Sequence, residues 1–352
     1  MLRFGEAAER VVPVDASSAD AARARQDRLT KPPGSLGRLE DIGARLCAIA
    51  RRCPPPVPKP AAVAVFAADH GVLDEGISPW PQEVTAQMVA NFSSGGAAIC
   101  VLARQLAVEV VVVDVGVVSE LPDLPGLRRA KVRPGTANLA KGPAMSPAEA
   151  MEALDIGSSL ASELVDEGFR CLLTGDMGIG NTTASAALIA SLLDRSAAEV
   201  TGRGTGIDDR RLARKIEIVQ GAVERAAGRP GTDPVTLLAS LGGLEIAALA
   251  GFIVGGAARK VPVLLDGVIA AAAALVAVAA VPDVSGYLLA GHRSTEPGAT
   301  LALEHLGLEP LLDLELRLGE GTGACLALPL VQASASVLDE MATFGSAGVS
   351  ES

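Results

Sequence analysis

Aromatic residues are scarce in this 352-residue chain, which has six Phe, one Trp and one Tyr. Basic residues are in the minority too, with 30 Lys and Arg against 41 Asp and Glu and a formal net charge of −11. Both shortages argue against a nucleic-acid binder, which needs a basic face and rings on which bases stack. An acidic protein can still hold an anionic ligand where backbone N–H groups line the site. The three histidines, His70, His292 and His305, form no His-Glu-x-x-His, and none stands at zinc-ligand spacing from another His or a cysteine pair. Neither structural nor catalytic zinc is expected. Cys47, Cys53, Cys100, Cys171 and Cys325 are scattered without a Cys-x-x-Cys, the pattern of reduced thiols in a cytosolic protein. The first fifteen residues are acidic and interrupted by Pro13, and lack the basic and apolar regions of a secretory signal. The longest apolar run, Val268 to Val281, is mostly alanine and shorter than the roughly 20 residues of a membrane span. A buried helix is expected there, and no membrane association.

What is present is a globular composition, 49% hydrophobic and 20% charged, in a chain long enough for one large or two ordinary domains. Polar–apolar patterns at helical spacing run from about Ala16 to Leu29 and from about Leu36 to Arg52, split by Lys31-Pro-Pro-Gly34. Cys53-Pro-Pro-Pro-Val-Pro-Lys-Pro60 reads as a stiff connector, so a domain boundary is placed near residue 60. Beyond it, β-branched runs recur at Ala62–Phe66, Val108–Val113, Cys171–Thr174 and Val261–Leu265. Such runs without strict alternation predict strands buried on both faces of a parallel sheet. Crossover helices are predicted for Ser146–Glu167, Thr182–Leu193, Asp208–Ala227 and Gly243–Ala258, giving an α/β fold, and the tail Gly345–Ser352 is expected to fray.

Each apolar run ends on an acid near a glycine: Asp69-His-Gly71, Asp114-Val-Gly116, Gly175-Asp-Met-Gly178 and Asp266-Gly267. Ligands of open α/β sheets bind beyond the carboxyl ends of the strands, so these acids are expected to share one crevice, unless each only caps the helix that follows. Gly175-Asp-Met-Gly-Ile-Gly-Asn-Thr-Thr183 joins a strand to a helix and suits either a phosphate cradle or a tight turn, being neither a Walker A loop nor an ordered Gly-x-Gly-x-x-Gly. Thr201-Gly-Arg-Gly-Thr-Gly206 reads as a second ligand loop. The helix that follows it carries Lys215, either a phosphate partner or a solvated lysine. In Gly291-His-Arg-Ser-Thr-Glu-Pro-Gly298, His292 is a general base or, more simply, a positioning group donating to a backbone carbonyl. Glu320 stands between two glycines ahead of an apolar helix from Ala324 to Leu338, which suits a general base, the other reading being a carboxylate favoured by the helix dipole.

Taken together these motifs resemble the nicotinate-nucleotide–dimethylbenzimidazole phosphoribosyltransferases of cobalamin biosynthesis. The resemblance spans almost the whole chain, from Lys31-Pro-Pro-Gly-Ser-Leu-Gly-Arg-Leu-Glu40 through Phe66–Val72, Gln87–Phe92, Gly95–Ala98, Gly175–Thr183 and Gly291–Gly298 to Gly319-Glu-Gly-Thr-Gly323. It implies a large Rossmann-like α/β domain, a parallel sheet flanked by helices, over residues 61–318. A small helical domain would be formed by both chain ends, residues 1–60 and 319–352. It implies a homodimer acting on nicotinate mononucleotide and dimethylbenzimidazole in the cytoplasm, with no cofactor. A benzimidazole nitrogen would attack the anomeric carbon, releasing nicotinate and forming α-ribazole 5′-phosphate with inversion.

By the same resemblance Glu320 is the general base and Asp176 a second catalytic acid, with the strand-end carboxylates supporting a cationic ribose. Gly178, Gly180, Asn181, Thr182, Gly202, Gly204 and Lys215 fall where phosphate and ribose would be held, with Asp266, Gly267, Ser294 and Arg317 along the nucleotide. Ser78, Gln87, Met177 and Leu318 fall where the benzimidazole would lie. The family usually has Glu where this chain has Asp176, which draws that carboxylate back by about a bond length. Other lower bases, adenine or a phenol, would use the same chemistry. A nucleotide-binding regulator without turnover is the reading from another class, against which the unpaired Glu320 counts. A dehydrogenase lacks its ordered glycine fingerprint.

Overall fold

The computed structural model describes residues 2–226 and 233–350. Its centre is a six-stranded, wholly parallel sheet: β1 (Ala61–Ala68), β2 (Val108–Gly116), β3 (Leu127–Arg129), β4 (Cys171–Met177), β5 (Val263–Leu265) and β6 (Leu288–Ala290). The strand order β3-β2-β1-β4-β5-β6 reverses between β1 and β4, so a crevice opens beyond the carboxyl ends of those two strands.

All eight residues of β1 are buried, and their alternation assigns them to two cores. Ala62, Ala64, Phe66 and Ala68 face one helical layer, whereas Ala61, Val63, Val65 and Ala67 face the other. A strand covered on both sides has no reason to alternate in polarity, which is why the apolar runs are continuous.

Fifteen helices are described around this sheet. The first five are α1 (Phe4–Arg10), α2 (Ala16–Gln26), α3 (Arg38–Ala50), α4 (Glu83–Ser93) and α5 (Ala98–Leu106). They are followed by α6 (Pro147–Asp166), α7 (Asn181–Leu193), α8 (Ala197–Val200), α9 (Asp209–Ala226) and α10 (Pro234–Leu241). The last five are α11 (Leu244–Ala258), α12 (Val268–Ala280), α13 (Pro297–His305), α14 (Thr322–Glu340) and α15 (Phe344–Ala347). A capping box, in which Ser146 and Glu149 exchange hydrogen bonds, opens α6 at the serine where the sequence pattern begins. Gly157 and Gly251 let α6 and α11 approach so closely that a Cβ on either would overlap a carbonyl of the other helix.

Both chain ends meet on the opposite face. Ala19 and Ala22 of α2, Ala44, Cys47 and Ala48 of α3 and Leu338 of α14 form one small cluster. The first half of α14, from Ala324 to Val331, is buried in the sheet core instead. α1, which the sequence pattern does not reveal, rests on α6, where Phe4 N–H donates to Asp155 Oδ1 at 2.8 Å.

The structure corrects several expectations. β5 starts at Val263, because Pro262 has no N–H to give to a ladder. β2 and β4 run on through Asp114 and Asp176, so those acids end strands and do not follow them. Of the tail expected to fray, Gly345–Ala347 belong to α15, which a Thr343–Ser346 capping box opens. Residues 351 and 352, and Ala227 at the expected end of the helix that becomes α9, lie outside the described residues. Two helical stretches, Glu83–Leu106 and Thr322–Glu340, are apolar and long enough to cross a bilayer. The first is α4 and α5 with a break between them, and the second is packed into the core.

Candidate active site

A cleft of about 680 Å³ opens at the carboxyl end of the sheet. The turn from β4 into α7 supplies one wall with Asp176, Met177, Gly178, Ile179, Asn181 and Thr182. Val84 and Met88 of α4 with Trp80 supply an apolar wall, and Gly267, His292, Ser294 and Glu296 enter from the ends of β5 and β6. Glu315 to Glu320 closes the remaining side, and Gly204 and Thr205 reach in from the second glycine loop.

Glu320 is 5% exposed and sits in a left-handed backbone (φ 64°) between Gly319 (φ 82°) and Gly321 (φ 91°). For a non-glycine this conformation stores of order 1–3 kcal/mol and needs an external restraint. Asp266 provides it. Its Oδ2 accepts from Gly321 N at 3.2 Å, while Oδ1 accepts from Gly323 N at 2.7 Å and Ala324 N at 3.1 Å. The carboxylate thus caps α14, whose own N-cap, Gly321, has no side chain. Asp266 is held in turn where its N–H donates to Thr174 Oγ1 at 3.0 Å, which donates to Leu264 O at 3.2 Å. Burial pushes the Glu320 carboxyl up, opposed by an N–H bond from Ile99 (3.3 Å to Oε2) and reinforced by the charge of Asp266. The result is a carboxylate more basic than usual, facing a cleft.

Asp176 is pushed far higher, by complete burial and then by the charges of Asp266, Glu245 and Glu320. Oδ2 accepts from Asn181 Nδ2 at 2.9 Å and Oδ1 has no partner. Such a group holds its proton more tightly than an ordinary carboxyl and, where protonated, can donate a hydrogen bond.

The four strand-end acids do not share the cleft as expected. Only Asp176 lines it, and Asp266 lies directly behind. Asp114 accepts from Gly116 N and Val117 N at 3.1 and 2.9 Å in a local turn, whereas Asp69 accepts from Val118 N at 2.8 Å, just beyond the end of neighbouring β2.

Lys215 is neither solvated nor in the cleft wall. It is 2% exposed, and Nζ donates to Thr182 Oγ1 at 2.9 Å and to Gly202 O at 3.0 Å, behind the two loops. Burial lowers it to about 8, against the opposing charge of Glu296. Glu296 Oε1 accepts from Gly204 N at 2.7 Å, and its carboxylate fills the space a side chain on Gly202 would need. Arg317, in the cleft wall, donates to Gly204 O at 3.2 Å.

His292 departs from the expected backbone carbonyl: its Nε2 faces Asp266 Oδ1 at 3.6 Å, Nδ1 is unpartnered, and the ring lies flush against Gly323. Ser78 and Gln87 do not line the cleft. Ser78 Oγ accepts from Trp80 N at 3.1 Å, and Gln87 points to solvent. The side chains that face inward from α4 are Val84 and Met88, one turn apart. Met177, Gly178, Asn181, Thr182, Gly204, Gly267, Ser294, Arg317 and Leu318 are brought together as expected, while Gly180, Gly202, Lys215 and Asp266 shape the wall from behind. Sequence reasoning misses Trp80, Val84, Met88 and Glu296, though the Gly202-x-Gly204 spacing signals that something approaches the backbone closely. Among the described residues no three His, Cys, Asp or Glu side chains gather as a metal site.

The family described as phosphoribosyltransferase matches residues 11–349. The nicotinate-nucleotide–dimethylbenzimidazole phosphoribosyltransferase of Salinispora tropica is 54% identical, over 96% of this chain and 97% of its own. That of Chloroflexus aurantiacus is 53% identical, over 96% of both chains. A crystal structure of the Thermus thermophilus enzyme of the same name superposes with a TM-score of 0.91 at 50% identity, covering 96% of this chain and 100% of that one. A second structure from that organism, titled CobT, gives 0.92 at 51% identity over the same shares. With relatives this similar matching from end to end, and the strand-end cleft carrying the motifs first noted in the sequence, the chain belongs to the nicotinate-nucleotide–dimethylbenzimidazole phosphoribosyltransferase family.

Proposed function

We propose that the cleft transfers the 5-phosphoribosyl group of nicotinate mononucleotide to 5,6-dimethylbenzimidazole, releasing nicotinate and forming α-ribazole 5′-phosphate. The observation that carries this reading is Glu320, a buried, base-strengthened carboxylate that is held by the Asp266 restraint and lines one cleft with an apolar wall. In the forward step a lone pair on one benzimidazole nitrogen forms the bond to the anomeric carbon. The bond from that carbon to the pyridinium nitrogen breaks, its electron pair leaves with nicotinate, and the proton on the second ring nitrogen passes to Glu320. A positioned base is worth roughly 10²–10⁴-fold, so most of the acceleration comes from aligning the two substrates.

The apolar wall of Trp80, Val84, Met88, Met177 and Leu318 suits the flat methylated base, whose methyl groups need no hydrogen-bond partner. The glycine turn at the N-terminus of α7 and the Gly204 loop, with Lys215 behind both, suit the phosphate and ribose. Asp176, whose charged form is disfavoured by burial, gains reason to ionise as positive charge develops on the ribose, and so supports the transition state more than the ground state. We further propose a homodimer in the cytoplasm. Trp80, Val101 and Leu318 are each more than half exposed and would be covered by a second copy. The five thiols, all free and four of them buried, suit a reducing compartment.

The test is incubation of the purified protein with nicotinate mononucleotide and an equimolar panel of dimethylbenzimidazole, benzimidazole, adenine and phenol, read by mass spectrometry. α-Ribazole phosphate dominated by dimethylbenzimidazole is the expected result. Preference for another acceptor would change the substrate and keep the chemistry, and nucleotide binding without any product would overturn the proposal.

A further inference from the structure

Beneath the β4–α7 turn, out of reach of solvent, lies a pair of titratable side chains that do not line the cleft, although Asp176 feels the charge of Glu245. His70 follows the carboxyl end of β1 and Glu245 occupies the first turn of α11. His70 Nε2 and Glu245 Oε1 are 2.7 Å apart, and both side chains are wholly buried. Glu245 Oε2 and His70 Nδ1 have no other partner. Burial disfavours the imidazolium, but the charges of Glu245 and Asp69 outweigh that and raise His70.

The ring packs against backbone. A Cβ on Gly178 would lie 3.4 Å from His70 Nε2, and one on Gly180 would lie 3.3 Å from His70 Cβ. A Cβ on Gly243 would overlap the ring and stand 2.6 Å from Glu245 Oε2. The imidazole is therefore the floor of the turn, and its tilt is set by one hydrogen bond to α11. Buried ion pairs add little stability over apolar residues of the same volume, whereas they do fix orientation.

We propose that His70 and Glu245 are a positioning couple: Glu245 fixes the imidazole, and the imidazole fixes the Gly178–Gly180 turn that presents Asn181 and Thr182 to the mononucleotide. The proposal rests on the reading of that turn as the nucleotide's seat. It separates the two substrates, because the wall offered to the base comes mainly from Trp80, Val84, Met88 and Leu318, outside the turn.

The experiment compares KM for nicotinate mononucleotide and for dimethylbenzimidazole in the wild type, in Glu245→Gln and in the double variant His70→Leu/Glu245→Met, with thermal melts of each. Glu245→Gln keeps an acceptor for the ring N–H and is expected to stay close to wild type in both KM values. The double variant fills the space with apolar groups and is expected to melt near the wild type. Ångström-scale displacement of a binding group costs up to about 10²-fold, so its nucleotide KM should rise about tenfold or more while its base KM changes less than about threefold. A merely structural pair would be rescued in both respects. A double variant that fails to fold, that keeps the wild-type nucleotide KM, or in which both KM values rise together overturns the proposal. Absence of turnover in the wild type would instead overturn the reading beneath it, and the same comparison can then be made by calorimetric titration with nicotinate mononucleotide alone.

Discussion

Asp266→Asn is the substitution that most sharply tests how Glu320 is held. Three backbone donors, Gly321, Gly323 and Ala324, and the His292 ring at 3.6 Å face the Asp266 oxygens; the N–H bonds favour the ionised form, against a burial that pushes the carboxyl up overall. Asn has nearly the same shape but offers one acceptor oxygen, and its NH₂ group must point at a backbone N–H. Hydrogen bonds to a charged group are worth about 1.5–3 kcal/mol each, so losing even one removes an amount similar to the roughly 1–3 kcal/mol stored in a left-handed non-glycine. The Gly319–Gly321 turn is then free to relax, and Glu320 moves with it. Displacement by an ångström costs about 10²-fold, so kcat should fall by about that factor. The nucleotide KM should change little, because Asp266 does not line the cleft. Steady-state kinetics with both substrates varied and a thermal melt would check this. A kcat close to wild type would refute the view of Asp266 as the restraint, and a selective rise in nucleotide KM would return it to the nucleotide-lining role that the sequence motifs imply.

Three further outcomes follow from the same geometry. Asp176→Glu should retain activity, because Asp176 lines the cleft and the longer side chain can extend into it, whereas Asp176→Leu, which cannot donate or ionise, should lower kcat by at least about tenfold in the same assay. Lys215 titrates near 8 and is charged below that value, so if its charge supports phosphate binding, nucleotide KM should rise as pH passes upward through 8. Bound phosphate holds the Lys215 proton and sets the higher pH at which the rise levels off, Lys215→Arg should abolish it, and a flat KM profile in the wild type would count against the assignment. Gly202→Ala places a methyl group where the Glu296 carboxylate lies, and should cost about 1–3 kcal/mol of stability along with nucleotide affinity, measured by denaturant unfolding and titration.

The parts of this molecule legible in its sequence are those in which local pattern and tertiary role coincide. β1, β2 and β4 announce themselves because burial on both faces demands continuous apolar runs. β3 and β6 are three residues long, too short for any period to show. Glu320 stands out because two glycines flank it, and the structure explains them as left-handed neighbours of a left-handed base. Long-range roles stay hidden. That Asp266 caps a helix 55 residues later, that Glu296 fills the space between Gly202 and Gly204, and that His70 meets Glu245 depend on topology and leave no local trace. Gln87 misses the cleft by one position on α4, where about 100° of rotation separates it from Met88. The convergence of four strand-end acids fails for a different reason: Asp114 satisfies N–H groups two and three residues on, and Asp69 one at the end of the neighbouring strand, both of them backbone donors away from the cleft.

The central claim is that Glu320 accepts the proton released when the benzimidazole nitrogen attacks. It is tested most directly by a single-turnover experiment with enzyme in excess, comparing wild type with Glu320→Gln on nicotinate mononucleotide and dimethylbenzimidazole, and following α-ribazole phosphate over time. The account predicts that the variant binds the mononucleotide as tightly as the wild type and forms product about 10²–10⁴-fold more slowly. Product formation at the wild-type rate would contradict it.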